Sequence, residues 1–371
     1  MSGIEEYLTN EFNARKTRNT YRAVLKKYFE IIGADPETYF NEGRTQDDYL
    51  KDLKTYINTF LVGRPAKTCT SYISGIKGFH KYNKVLLDEE ELKTIRKRHK
   101  NMKSNRALTK DRPPSITELQ RILSHGTVMD KAFFSILFSS GMRIGELAKM
   151  PKNQGKEIYI YFDENPVRID IPETITKNGE RRTTFMSNEA KKFLQEWLRV
   201  RDDYINNVAF RSQNLPNKIK ERITPKDPRL FPYNTVTMWR RWGNMCEKAE
   251  LTERDIRTKR AIIHPHGLRK GFRTIMGTKI GIDFTEEMMG HAGYLAESYV
   301  RHTDEELASA YKLGMNAVTI FEREIPQDMR EWQQRDAEKD KKIAELESRM
   351  QRMMEDMQHL LIENDKKNRD E

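Results

Sequence analysis

The sequence predicts a mainly α-helical protein with one small antiparallel β-hairpin sheet, built as two domains with a coiled coil after them. Three observations lead there. Apolar residues recur at helical spacing along most of the chain, for example Tyr21, Val24, Leu25, Tyr28, Phe29 and Ile32. Strand-like alternation is confined to residues 157–186. From Ile343 the intervals alternate between three and four through Leu346, Met350, Met353, Met357, Leu360 and Asn364, which is a heptad seam of about three repeats. A length of 371 residues also exceeds what one ordinary core organises.

The N-terminal domain is expected over residues 1–98. Thr17–Ile32 forms its first strong helix, with Gly33 as a left-handed stop. Tyr49–Leu61 presents Leu50, Leu53, Tyr56, Ile57 and Phe60 on one side, and Thr68–Tyr82 presents Tyr72, Ile73, Ile76 and Phe79. Between residues 99 and 114 the periodicity lapses while Lys100, Lys103, Arg106, Lys110 and Arg112 accumulate. This stretch reads as a basic inter-domain linker able to lie along phosphates.

Ser115-Ile-Thr-Glu118 is a capping box that opens the second domain, residues 115–325. Met129–Ser140 is apolar nearly all round and so predicts a buried helix, stopped by Gly141. That stop leaves Arg143 at a turn just outside the core, with Glu146 placed to pair with it. Glu157–Phe162, Val167–Ile171 and Arg182–Phe185 alternate as strands, and Asn178-Gly179 predicts a two-residue hairpin between the last two. Pro172 asks for an edge or a bulge. A helix is expected from Ser187 to Arg201, and Trp239 and Trp242, three apart on another, are read as core. Pro265 can start a helix at its first turn, which sets His266 and Arg269 three apart beside free backbone N–H groups and a positive dipole end that favour phosphate. Thr303-Asp-Glu-Glu306 caps a helix through Leu313, and residues 326–371 form the C-terminal helix or coiled coil.

Composition bounds the function. The formal net charge is +11; residues 326–371 hold ten Lys and Arg against thirteen Asp and Glu, a net of −3, which leaves +14 on residues 1–325. A basic body suits a nucleic-acid backbone, where each neutralised phosphate releases counterions. No apolar run approaches the roughly 20 residues of a membrane span, and the acidic start Met-Ser-Gly-Ile-Glu-Glu lacks the features of a signal peptide. The expected location is cytoplasmic and nucleoid-associated, with no membrane partner. Cys69 and Cys246 stand apart, which argues against a disulfide framework or a zinc site.

The residues that carry chemistry are ordered along the chain: Gly141-Met-Arg143-Ile-Gly-Glu146-Leu147, then His266-Gly-Leu-Arg269, Gly290-His291 and Tyr299. This series resembles the signature of the tyrosine recombinase (phage-type integrase) family, and the short His291-to-Tyr299 spacing resembles archaeal and mobile-element integrases. The resemblance is specific from about Ser115 to Leu313. It departs from the common pattern at Lys270, where many members carry histidine, and at His264 before the motif. It implies a helical core-binding, DNA-binding domain followed by a mixed α/β tyrosine recombinase catalytic domain. It also implies a catalytic lysine on the three-stranded hairpin, for which Lys177 is the candidate and Lys156 and Arg181 weaker ones.

By that resemblance the catalytic residues are Arg143, Lys177, His266, Arg269, His291 and Tyr299, with Glu146 in support. The expected reaction is site-specific recombination of double-stranded DNA through a 3′-phosphotyrosyl intermediate. It uses no ATP or other high-energy cofactor, because the bond energy is stored in the covalent link, and no metal, because Arg143 and Arg269 offer fixed forks of donors to the charge on the non-bridging oxygens. The chain is expected to recognise specific half-sites and to act as a homo-oligomer, a tetramer on two DNA sites. A type IB topoisomerase and a non-catalytic DNA-binding protein are the alternatives. A metal site from His264, His266, His291 and His302 lacks a carboxylate or thiolate at ligand spacing.

Overall fold

The computed structural model describes residues 3–40, 43–98, 109–212, 223–290, 302–322 and 342. The chain divides into two compact units, residues 1–110 with 256–258, and residues 111–255 with 259–371. The heptad seam from Ile343 lies outside the described residues, as does the basic stretch 99–108. No helix among the described residues is long and apolar enough to cross a membrane.

The first unit is helical: α1 (Gly3–Glu11), α2 (Arg15–Ile32), α3 (Gln46–Tyr56), α4 (Ala66–Tyr82) and α5 (Glu89–Arg98). The three helices expected from periodicity are all present, each starting two or three residues early. Helix α2 ends on Gly33 at φ 67°, where a side chain would be strained. Helix α3 opens on a Thr45–Asp48 capping box and passes into a π turn, Ile57–Leu61. Tyr28, Leu53, Tyr56, Ile76 and Phe79 fill the core.

His80 is fully buried in that core, ringed by Tyr28, Tyr39, Phe40 and Tyr49. Its Nδ1 meets Ile76 O at 2.9 Å, while Nε2 has no hydrogen-bond partner among the described residues. Burial draws its pKa down to about 4, with the Ile76 carbonyl and Asp52 pulling the other way. A folded pKa below the unfolded one means that the unfolded chain binds the extra proton between them. Stability of this unit should therefore fall as pH drops from about 6.5 to 4, by about 3 kcal/mol at pH 4. Urea midpoints across that range, compared with His80→Phe, check this: the variant should show a flatter profile.

The second unit carries α6 (Ile116–Ser124), α7 (Val128–Ser140), α8 (Ile144–Leu147), β1 (Ile160–Tyr161), β2 (Val167–Ile171), β3 (Arg182–Met186), α9 (Asn188–Ser212), α10 (Thr235–Lys248), α11 (Pro265–Ile280), α12 (Ile282–Met289) and α13 (Asp304–Gly314). Helix α7 is the central post: Phe133, Phe134, Ile136, Leu137 and Phe138 are all buried, with α9 and α11 packed against it. The Ser115–Glu118 and Thr303–Glu306 capping boxes form as expected. Asp111–Pro114 belong to this unit, where Arg112 N–H donates to Ile262 O and the guanidinium forks onto Glu118 at 2.6 Å twice.

The sheet is antiparallel in the order β1-β2-β3, with Ile160 opposite Ile169 and Ile169 opposite Thr184. Two expectations fail here. The strand expected over residues 157–162 shrinks to Ile160–Tyr161, because the Asn153 side chain takes Tyr159 N, Ile160 N and Ile160 O and holds the chain in a turn. Asn178-Gly179 do not make a two-residue hairpin: ten residues, 172–181, join β2 to β3, and they start with a 3-10 turn at Glu173–Ile175. Pro172 sits just past the end of β2, where its missing N–H costs no ladder bond.

Candidate active site

Helix α7 ends at Gly141, φ 63°, and a Cβ there would meet Phe272 Cδ1 at 2.3 Å. Only glycine suits that turn, which sets Arg143 as the residue before α8. Arg143 N–H and Nη1 both donate to the Glu146 carboxylate, each at 2.8 Å. The same carboxylate accepts Arg182 Nη2 at 2.5 Å and Nη1 at 3.1 Å. Burial raises the pKa of Glu146, and the Arg182 and Arg143 guanidinium groups more than reverse it, so the carboxyl stays ionised below its usual range.

Helix α11 starts with Pro265 in its first turn, as its sequence asks. Four residues on, Arg269 is buried, donating Nη1 to Gly141 O and Nη2 to Met289 O at 2.7 Å. Burial, then the neighbouring Arg143 and Arg182 charges, push it down to about 9, with Glu146 and Glu286 opposing. It stays cationic at neutral pH. His266 keeps an exposed edge, yet the protein around its ring lowers its pKa, with Lys270, His264 and Arg269 adding to the shift and Asp111 opposing it. A neutral imidazole at pH 7 results, able to accept a proton.

A second layer supports His266. Its ring lies parallel to His264, centroids 6.3 Å apart and 2° between planes, and Trp239 stacks on His264 at 5.6 Å. His264 Nε2 meets Asp111 Oδ2 at 2.8 Å, and Lys270 Nζ reaches the same oxygen at 2.5 Å. Trp242 is core as expected, but Trp239 is not: it is 43% exposed, because its side of α10 faces this ring stack rather than the interior.

Arg143, Glu146, His266 and Arg269 thus come together, whereas Lys177 sits exposed on the β2–β3 connection, without a hydrogen bond or ion pair to them among the described residues. Arg181, four residues further on, pairs with Asp170 at 2.5 Å. His291 and Tyr299 fall in residues 291–301, outside the described residues. His302 packs elsewhere, its Nδ1 2.6 Å from Glu287 and its ring over Phe284. Sequence reasoning missed Arg182, His264 and Asp111 as partners. One signal was available: side chains alternate along an extended chain, so Arg181, the last residue of the connection, and Arg182, the first of β3, point to opposite faces. The side chains are 65% and 9% exposed respectively. Two guanidinium groups beside a helix start, with a neutral imidazole at the rim, can bind a phosphate and take a proton from a hydroxyl near it.

The model of the phage integrase family matches residues 106–306, over half the chain, and the chain belongs to that family. Among curated proteins it is similar to tyrosine recombinase XerC of Shewanella sp. (strain ANA-3), 23% identical over 189 residues, which are 50% of this chain and 52% of the relative. It is also similar to the XerC of Pseudomonas syringae pv. tomato (strain ATCC BAA-871 / DC3000), 21% identical over 256 residues, 67% of this chain and 74% of the relative. The chain spans about half the length of the first curated relatives it matches. Its fold resembles a lambda integrase tetramer bound to a Holliday junction, with TM-score 0.51 and 13% identity, covering 81% of this chain and 79% of that one. It resembles a lambda integrase dimer bound to a COC′ core site to the same degree, TM-score 0.50 and 14% identity, over 88% and 79% of the two chains.

Proposed function

We propose that the chain is a site-specific DNA recombinase, an integrase that cleaves and rejoins double-stranded DNA through a 3′-phosphotyrosyl intermediate. The observation that carries this reading is the convergence of Arg143 and Arg269 at one ionised carboxylate, Glu146, with His266 three residues before Arg269 on the same helix. In it, the Tyr299 hydroxyl oxygen attacks phosphorus, the bond from phosphorus to the 5′ oxygen breaks, and the 3′ phosphate remains on the tyrosine. The tyrosine proton passes toward His266, and Lys177 gives a proton to the departing 5′ oxygen. Arg143 and Arg269, with His291, stabilise the charge growing on the non-bridging oxygens. A second DNA end then reverses the step, so no ATP is consumed. The lambda integrase structures, a dimer on a core site and a tetramer on a Holliday junction, support action as an oligomer on paired half-sites. The heptads after Ile343 offer a further means of association. Residues 1–98 fit the core-binding role, and a nucleoid-associated, cytoplasmic location follows from the DNA substrate.

The arginine charges are proposed to do the work that metal-dependent nucleases give to Mg²⁺, and this is testable. A suicide DNA substrate, nicked so that the cleaved end is lost, should accumulate covalent complex equally well in excess EDTA. Loss of the complex in chelator, with recovery on adding Mg²⁺ or Mn²⁺, would overturn the metal-free mechanism.

A further inference from the structure

The hydrogen bonds of the site close into a ring that passes through five separate elements. Arg269 Nη1 holds Gly141 O at the end of α7, and two residues on Arg143 is tied to Glu146. Glu146 is held by Arg182 at the start of β3, and Arg182 Nε reaches on to Met288 O at 3.2 Å. Met289 O, the next carbonyl, is taken by Arg269 Nη2, which completes the circuit. Arg182 and Arg269 both join the turn that carries Arg143 to the end of α12, and Arg182 is the one that does so through the Glu146 carboxylate. The chain leaves α12 through Gly290 at φ 63°, and a Cβ there would stand 2.6 Å from Arg182 Cδ. So the turn that leads into His291 is packed directly on the Arg182 side chain.

We infer that Arg182 is a positioning residue for the reaction proposed above: its guanidinium fixes Glu146, and through it Arg143, while its Nε and its stem set the turn that leads to His291. The chemistry needs a fork. Glu146 takes two of its nitrogens and Met288 O the third, at one side-chain position. A lysine ammonium, a point charge, cannot span a carboxylate and a carbonyl on different elements in the same way. Without the fork, Glu146 remains buried with Arg143 alone, and the Arg143 guanidinium loses its fixed direction. Catalysis by preorganised donors suffers most from a loss of direction, because reorganisation must then occur during the reaction itself.

The inference rests on the recombinase reading for its catalytic consequence but not for its structural one, so two measurements separate them. In the first, the full-length protein without DNA is observed by NMR of its arginine side chains. The Arg143 guanidinium should give a slowly exchanging signal in the wild type that is lost in R182A and R182Q, whose thermal melts confirm folding. A retained Arg143 signal would overturn the positioning role whatever the reaction. In the second, single-turnover cleavage and DNA affinity are measured together. R182A should bind DNA within about threefold of wild type and cleave at least 30-fold more slowly, a loss of transition-state stabilisation rather than of uniform binding. R182K should not restore the rate, whereas millimolar guanidinium ion should partly rescue R182A and leave Tyr299→Phe inactive. Wild-type cleavage by R182A, or full recovery by R182K, would refute the inference. Failure of the wild-type protein itself to cleave, with the NMR result intact, would refute the recombinase reading and leave the network standing.

Discussion

Tyr299→Phe is expected to bind DNA as the wild type does and to form no covalent complex with it, whereas Tyr294→Phe keeps the complex. A phenol has an unperturbed pKa of about 10, so the hydroxyl attacks only where neighbouring groups move its proton and stabilise the phosphate. Of the groups proposed for this, His266 and Arg269 lie in the first turns of α11 and Arg143 just before α8, and Gly290 ends α12 in a left-handed turn. Tyr294 follows His291 by three residues and Tyr299 by eight. If His291 holds the phosphate, a hydroxyl three residues away starts on the same side as the group that holds it. Eight residues give the chain length to approach from the opposite side, as in-line displacement requires. Gel-shift affinity, denaturing-gel detection of the protein–DNA adduct, and mass spectrometry of the trapped peptide check the assignment. An adduct on Tyr294, or one formed by the Tyr299→Phe protein, would show it to be wrong.

Arg269→Ala should carry the second large effect, at least 100-fold on single-turnover cleavage, in the range that follows removal of one preorganised donor at a developing oxyanion. It should also lower the stability of the second unit. The side chain is only 3% exposed, and its two bonds satisfy the carbonyls of Gly141 and Met289. Leaving a buried carbonyl unsatisfied costs about 1–3 kcal/mol. Arg269→Lys keeps the charge but cannot reach both carbonyls in the same plane, so it should recover neither rate nor stability in full. The rate is read under saturating protein, and the stability from the thermal transition of the same preparation. Cleavage by Arg269→Ala within tenfold of wild type would exclude the role proposed for this residue.

The sequence by itself determined what depends on neighbours a few residues apart. The capping boxes at Ser115 and Thr303, the left-handed stops at Gly33 and Gly141, and the Pro265 start of α11 each act within one helical turn, and all are present. The positions of Arg143 just beyond a buried helix and of Arg269 in the first turns of another follow from those signals. Tertiary structure alone decided which side chains meet. Glu146 and Arg182 are 36 residues apart, and Asp111 and His264 are 153 apart; no periodicity links such positions, because a period describes one element and not the element it packs against. The Asn178-Gly179 turn and the Trp239 core assignment failed for the same reason. A local preference worth a few tenths to one kcal/mol yielded to a ten-residue connection built around a 3-10 turn, and helical spacing placed Trp239 without saying that His264 would cover it.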